Sequence, residues 1–277
     1  MNKSLQLMSA EDYHATDAVG NSVLSDLKDS PAHCWALHIN PLRPKREPTA
    51  AMRLGTLTHT AILEPDDVRR RYVVRPSDIN PRTKAGQEWE SAQVGLEVIT
   101  ADEWLMVDAQ RAAVQQSEDL RALLSSGNAE LSAFATDKAT GLRVKCRPDW
   151  LHFTGPNRVR VLDLKTTTDI TLDSVERSVA TFGYHRQQAH YTRVLEAIGL
   201  TVEDFVFGFV TKTYPFFALP YRLDDETVAQ GHEEVGELLS LYSACLRNNH
   251  WPLASGIQTA GLPRWARRET EIEVTYA

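Results

Sequence analysis

The stretch from Leu142 to Thr166 constrains the fold of this chain more than any other. Residues 142–153 and 158–166 alternate apolar and polar side chains with a period of two. Thr154-Gly155-Pro156-Asn157 between them has turn chemistry, so the sequence predicts a β-hairpin inside a larger sheet. Pro148-Asp149 sits near the end of the first strand and Asp163-Leu164-Lys165 near the end of the second. Residues two apart in a strand share a face, so the Asp163 carboxylate and the Lys165 ammonium point the same way. The turn brings Asp149 beside Asp163 at one end of the sheet. Two carboxylates this close repel each other unless a cation lies between them. Mg²⁺ suits such a place, because it takes oxygen ligands and is commonly held by one or two carboxylates plus a substrate phosphate. Lys165 would orient or help deprotonate an attacking water, or neutralise charge developing on a phosphate. Alone, Asp-x-Lys on a strand also describes a solvated cross-strand ion pair; Pro148-Asp149 at the matching upstream distance makes it informative.

On either side of the hairpin the periodicity changes. Residues 21–40 read as two short helices. Asn21 or Ser22 suits the cap of the first, with Val23, Leu24 and Leu27 facing inward, and Ser30-Pro31 opens the second. Residues 41–50, with three prolines and three basic side chains, read as a mobile loop. Residues 51–63 form an apolar helix stopped by Pro65, and 75–87 a polar loop. Residues 87–125 are largely helical, their stripe of Leu105, Ala109, Ala112, Ala113, Leu120, Leu123 and Leu124 ended by Ser126-Gly127-Asn128. A strand is expected over 130–136, a helix over 174–198 closed by Gly199, a strand pair over 204–212 and 216–222, and a helix over 225–247. This order gives an α/β core, a mixed central sheet flanked by helices, with an N-terminal helical elaboration. We expect one domain over 1–277: a mainly helical part, 1–128, carrying His59; the sheet and helices of 129–247; and an irregular tail, 248–277.

Composition narrows the classes. A chain of 277 residues with 42% hydrophobic and 24% charged residues, 14 Gly and 13 Pro, is neither collagen-like, fibrous nor mostly disordered. No apolar run approaches the roughly 20 residues that span a bilayer. The N-terminus lacks a long apolar stretch and a small-residue cleavage site, so no signal peptide and no membrane association are expected. Cys34, Cys146 and Cys245 are scattered, with no disulfide, zinc or iron–sulfur spacing, which points to a reducing cytoplasm. A net charge of −7 argues against a coat of positive charge for indiscriminate nucleic-acid binding, and leaves room for a local basic channel around an acidic, metal-binding centre.

Two further segments carry chemistry-bearing residues. Gln187 and Tyr191, within YHRQQAHY (184–191), are four apart and share a helix face. Gly55-Thr56-Leu57-Thr58-His59 places one histidine in an otherwise apolar helix. Singly, each also fits ordinary packing: a hydrogen-bonded core histidine, a packed tyrosine beside a surface glutamine. Together, His59, Pro148-Asp149, Asp163-x-Lys165 and Gln187-x-x-x-Tyr191 resemble, in that order, the RecB-like branch of the PD-(D/E)xK nuclease superfamily. The strings GTLTHTAILEPD (55–66), GLRVKCRPDW (141–150) and VLDLKTT (161–167) are similar, more narrowly, to the RecE group, exonuclease VIII. So are the opening NSVLSDLKDSPAH (21–33) and the closing LPRWA (262–266). The resemblance spans most of residues 9–268 and covers that group's nuclease domain; longer members carry a large N-terminal extension.

The resemblance implies a restriction-endonuclease-like core and a Mg²⁺-dependent exonuclease, with Mn²⁺ as a substitute. Such an enzyme degrades linear double-stranded DNA 5′ to 3′, releases 5′ mononucleotides and leaves 3′ single-stranded tails. It implies a single-strand annealing protein as partner in phage or prophage recombination, and a homo-oligomeric ring around DNA. Carried over by position, His59, Asp149 and Asp163 bind metal with the Leu164 carbonyl, and Glu130 matches an acidic position as an outer ligand. Lys165 handles the attacking water, and Gln187 and Tyr191 hold the lysine or the phosphate. Arg143, Lys145 and Arg147 share parity with Asp149 and would form a cationic ladder to the metal, while Arg82 and Lys84 are expected in a polar loop that would close over DNA. Arg69-Arg70-Arg71 and Arg267-Arg268 suit DNA or subunit contacts. Three alternatives stand beside this one: a Cas4-like or helicase-linked nuclease, disfavoured because its usual four cluster cysteines are missing; a sequence-specific restriction endonuclease, for which no target-recognition segment is seen; and a non-catalytic DNA-end-binding protein that kept the fold.

Overall fold

A computed structural model describes residues 4–44 and 47–262; Lys45 and Arg46 of the basic loop, residues 263–266 of the closing string, and Arg267 and Arg268 lie outside the described residues. The N-terminal part is helical for local reasons. A short strand, β1 (Leu5–Gln6), leads into α1 (Ala10–Ala15), where the Ser9 side chain accepts from the Asp12 N–H. Helix α2 (Asn21–Asp29) starts from Gly20 with no side-chain cap, so neither Asn21 nor Ser22 serves there, and it buries Val23, Leu24 and Leu27. Ser30 caps α3 (Pro31–Cys34), which continues as a π-helical turn over Trp35–Ile39. Thr49 caps α4 (Ala50–Leu63), the helix that carries His59. Then follow α5 (Val68–Arg71), β2 (Tyr72–Val74), α6 (Lys84–Ser91), β3 (Glu97–Ile99), α7 (Ala101–Gln116), with a capping box between Thr100 and Glu103, and α8 (Glu118–Leu124).

The remaining elements build the sheets: β4 (Asn128–Ala129), β5 (Ser132–Thr136), β6 (Arg143–Cys146), β7 (Trp150–Gly155), β8 (Arg158–Thr167), α9 (Leu172–Phe182), α10 (Tyr184–Ala197), β9 (Thr201–Thr211), β10 (Ala218–Tyr221) and α11 (Asp225–Asn248). A mixed five-stranded sheet has the order β10-β9-β8-β7-β4, with β8 and β9 parallel and the other pairs antiparallel. Strands β8 and β9 are joined through α9 and α10, the long crossover that parallel pairing needs. Alternation along β8 sorts the two cores. Val159 and Val161 pack with α2, α9, α10 and α11, whereas Leu162 and Leu164 pack with α4, α7 and α8. Asp163 and Lys165 fall on the first face, beneath α10. Strands β1, β5 and β6 form a separate antiparallel sheet, and a third cluster of Leu57, Val68, Tyr72, Ile99 and Val107 holds α4 to α7 and the parallel β2–β3 pair. No helix among the described residues is long and apolar enough to cross a membrane.

The largest departure from the sequence expectation lies at Pro148. The strand expected over 142–153 is two strands, β6 and β7, in different sheets, because proline has no N–H for a ladder and the chain turns through Arg147-Pro148-Asp149. The shared parity of Arg143, Lys145, Arg147 and Asp149 is lost with it. The chain crosses between the same two sheets a second time between β4 and β5, where Glu130 takes a left-handed φ of 54°. The Glu130 N–H donates to the Asp149 carbonyl at 3.1 Å, tying the two crossings together. Smaller corrections concern the helical segments. Residues 87–125 contain β3, Leu105 is exposed while α7 buries Val107, Gln110, Ala113 and Val114, and the helix expected over 174–198 breaks at Gly183. Lys84 opens α6 behind the Thr83 cap instead of lying in the loop.

Candidate metal centre and active site

Different elements deliver the candidate ligands. Helix α4, anchored by Leu57, Ala61 and Ile62, presents His59 with Nδ1 3.5 Å from Asp149 Oδ2. The β7–β8 register, Trp150 opposite Leu162, brings Asp149 alongside Asp163, and Asp149 Oδ2 accepts from the Leu164 N–H at 2.7 Å. The Leu164 backbone also faces the His59 ring. His59, Glu130 and Asp149 each offer a ligand atom within 4.8 Å of the others. Glu130, the weakest of the expected ligands, is therefore brought into the cluster, with Arg147 paired to it at 2.5 Å.

Electrostatics favour a cation here. Burial, then the neighbouring Asp163, pushes the Asp149 carboxyl well above its usual range; burial, then Asp149, pushes Glu130 up to about 7. Burial also lowers the His59 pKa, which leaves a ring nitrogen free to ligate. One imidazole and two carboxylates converging in a half-buried place are a fitting donor set for a divalent metal.

Asp163 belongs to an adjoining group. Its Oδ2 accepts from Gln187 Nε2 at 2.7 Å, its Oδ1 pairs with the Lys165 ammonium, and Lys165 Nζ donates to Gln187 Oε1 at 2.7 Å. The three side chains close a ring, with Asp163 only 1% exposed. Burial works against the Lys165 charge, but Asp163 and Asp149 outweigh it and its pKa is raised. The ammonium also lies 4.4 Å from the Tyr184 ring centre, a cation–π contact. Tyr191, one helical turn beyond Gln187, packs its ring 6.4 Å from Phe205, and burial pushes its phenol far up.

The expected basic residues scatter. Lys145 is buried and donates to the Tyr13 and Thr16 carbonyls at 2.7 Å each, satisfying the end of α1; it cannot line a DNA channel. Arg147 is committed to Glu130. Arg143 is exposed over the Phe134 ring, Arg82 is exposed in the loop before α6, and Lys84 pairs loosely with Glu88 at 3.7 Å. Arg70 and Arg71 pair with Asp67, and Arg71 also with Glu64. Sequence reasoning missed Tyr184 beneath Lys165. Its signal was present: it stands three residues before Gln187 on the same helix face.

Residues 20–259 match the family described as PDDEXK-like domain of unknown function (DUF3799). This chain belongs to that family. The mixed central sheet flanked by helices fits the PDDEXK-like, restriction-endonuclease-like α/β fold. A solved protein from Eubacterium rectale, described provisionally as an exonuclease, has a similar fold: TM-score 0.59 over 93% of this chain and 100% of that one, at 15% identity. A second solved structure, SSO0001, aligns at TM-score 0.28 and 11% identity over 79% of this chain and 85% of that one, and carries no argument. No curated protein matches the sequence.

Proposed function

We propose that this PDDEXK-like protein is a metal-dependent nuclease that hydrolyses phosphodiester bonds of DNA. The observation that carries the reading is the Lys165 ammonium, fixed by Asp163 and Gln187, beside the cluster of His59, Glu130 and Asp149. His59, Glu130 and Asp149 would hold the cation, with Asp163 and the Leu164 carbonyl adjoining. When bound, the cation supplies Lewis-acid polarisation of the scissile phosphate. Lys165 provides a preset positive charge where negative charge develops on the phosphate and orients the attacking water. Gln187 fixes that ammonium, and Arg147 balances the charge of Glu130.

The finer reading is an exonuclease of the RecE type, acting on linear double-stranded DNA 5′ to 3′, releasing 5′ mononucleotides and leaving 3′ tails for annealing. Its support is the similarity of the strings around His59, Asp149 and Asp163 to that group and the provisional description of the E. rectale protein. With it come Mg²⁺, replaceable by Mn²⁺, a single-strand annealing partner, a homo-oligomeric ring and a cytoplasmic setting. Arg82, Lys84 and Arg143 remain candidate phosphate contacts, and Tyr191 a packing support for Gln187.

The test uses linear duplex labelled at either end beside a covalently closed circle, with Mg²⁺ or EDTA. Digestion of the linear form alone, with mononucleotides from the 5′ label, is expected. Asp163→Ala and Lys165→Ala should each lower the rate by at least roughly 100-fold while leaving the fold intact. Parental rates in either variant, or equal digestion in EDTA, would overturn the assignment.

A further inference from the structure

The catalytic ammonium rests on one member of a column of aromatic rings. Tyr184, 4.4 Å from Lys165 Nζ, stacks on Phe207 at 5.6 Å between centroids and 24° between planes, and on Phe182 at 5.7 Å and 27°. Phe207 is fully buried, whereas Phe182 is 60% exposed and packs into none of the hydrophobic clusters found among the described residues. The rings thus step from the buried Phe207 through Tyr184, which carries the ammonium, to the exposed Phe182. Its position is preset. Gly183, between Phe182 and Tyr184, has a φ of 67°, and a Cβ there would lie 2.2 Å from the Arg186 guanidinium, itself held by Glu234 at 2.9 Å.

We propose that Phe182 is a stacking platform for a nucleobase of the substrate: a base next to the phosphate being cut leaves its duplex stack and lies on the outer face of Phe182 as a fourth plane of the column. The proposal rests on the nuclease reading and deepens it. Every base has a π-face, so stacking holds a strand without reading its sequence, which suits an enzyme that engages the backbone. The substrate class that follows is a strand whose end is unpaired or readily frayed.

The experiment compares the intact protein with Phe182→Ala, Phe182→Trp and Leu172→Ala. Leu172, 60% exposed at the other end of α9, controls for loss of any exposed apolar side chain. The probe is a short duplex with a single-stranded tail, carrying either 2-aminopurine or an abasic site next to the junction, with Ca²⁺ replacing Mg²⁺ to hold back cleavage. Phe182→Ala should raise the dissociation constant roughly 5- to 100-fold on the base-bearing tail and leave it unchanged on the abasic one. Phe182→Trp should bind like the parent, Leu172→Ala likewise, and 2-aminopurine fluorescence should be quenched by the parent and not by Phe182→Ala. Equal losses on both tails, or none on either, overturn the platform. A change in oligomeric state of Phe182→Ala without base dependence overturns it in favour of a protein contact. If the parent cleaves DNA and Phe182→Ala matches it throughout, only the platform falls; if the parent neither binds nor cleaves DNA with any divalent ion, the nuclease reading falls with it.

Discussion

Gln187 performs two tasks with one amide. Its nitrogen donates to Asp163 and its oxygen accepts from Lys165, so carboxylate and ammonium share a single orienting group. It acts through these neighbours, and Gln187→Ala should cut turnover roughly 10- to 100-fold, as loss of an orienting contact does. Gln187→Glu keeps the acceptor but loses the donor; it should keep lysine placement while setting a second carboxylate against Asp163, and the pH–rate profile separates the two effects. At this scale much was legible. His59, Asp149, Asp163, Lys165 and Gln187 stand in a spacing that survives in one dimension. The Arg147–Glu130 pair depends on how separate elements meet, which no local spacing records, whereas Tyr184 shares a helix face with Gln187 and its spacing is local.

Between elements, α10 and α11 approach at Gly231, where a Cβ would lie 2.4 Å from the His185 carbonyl. In an exposed helix interior, alanine is better than glycine by about 1 kcal/mol. Here the sign reverses, because the added carbon meets backbone; Gly231→Ala should destabilise the protein by about 1–3 kcal/mol, measured by urea unfolding. The long alternating strand β8 and the amphipathic helices were readable because burial on one side imposes a period. Strands β2 and β3, of three residues each, are too short to carry one. The break at Pro148 carries its own signal, an imino acid in the middle of an apparent strand, which outweighs the period-two alternation on either side of it.

For the whole molecule, pH acts on a buried histidine outside the ligand cluster as well as on the cluster itself. His190 is fully buried, its Nε2–H donates to the Lys145 carbonyl at 2.9 Å, and burial holds its pKa down to about 4, against an ordinary 6.5. Above pH 6.5 neither state protonates the ring. Between 6.5 and 4 the unfolded ring takes up a proton that the folded one refuses, so the contribution of His190 to stability falls as pH falls, by about 3 kcal/mol, while Glu130, raised to about 7, works in the opposite direction over the same window. His190→Gln, which keeps a donor for Lys145, should make stability fall less, or rise more, as pH is lowered through that window than in the parent, measured by urea unfolding at several pH values; an unchanged slope would show that the buried ring does not contribute to it. Under the proposed function the cluster of His59, Glu130 and Asp149 would also respond to cations. Mg²⁺ at about 100 times its dissociation constant should stabilise the protein by about 2.7 kcal/mol, read as a rise in Tm, and Glu130→Gln should shrink that rise.

Both carboxylates of the cluster stand where the main chain leaves one sheet for the other, at Glu130 and at Asp149, joined there by the Glu130 N–H to Asp149 carbonyl hydrogen bond. A cation gripping both side chains would clasp that seam a second time. Occupancy of the centre and the angle between the two sheets would then be linked.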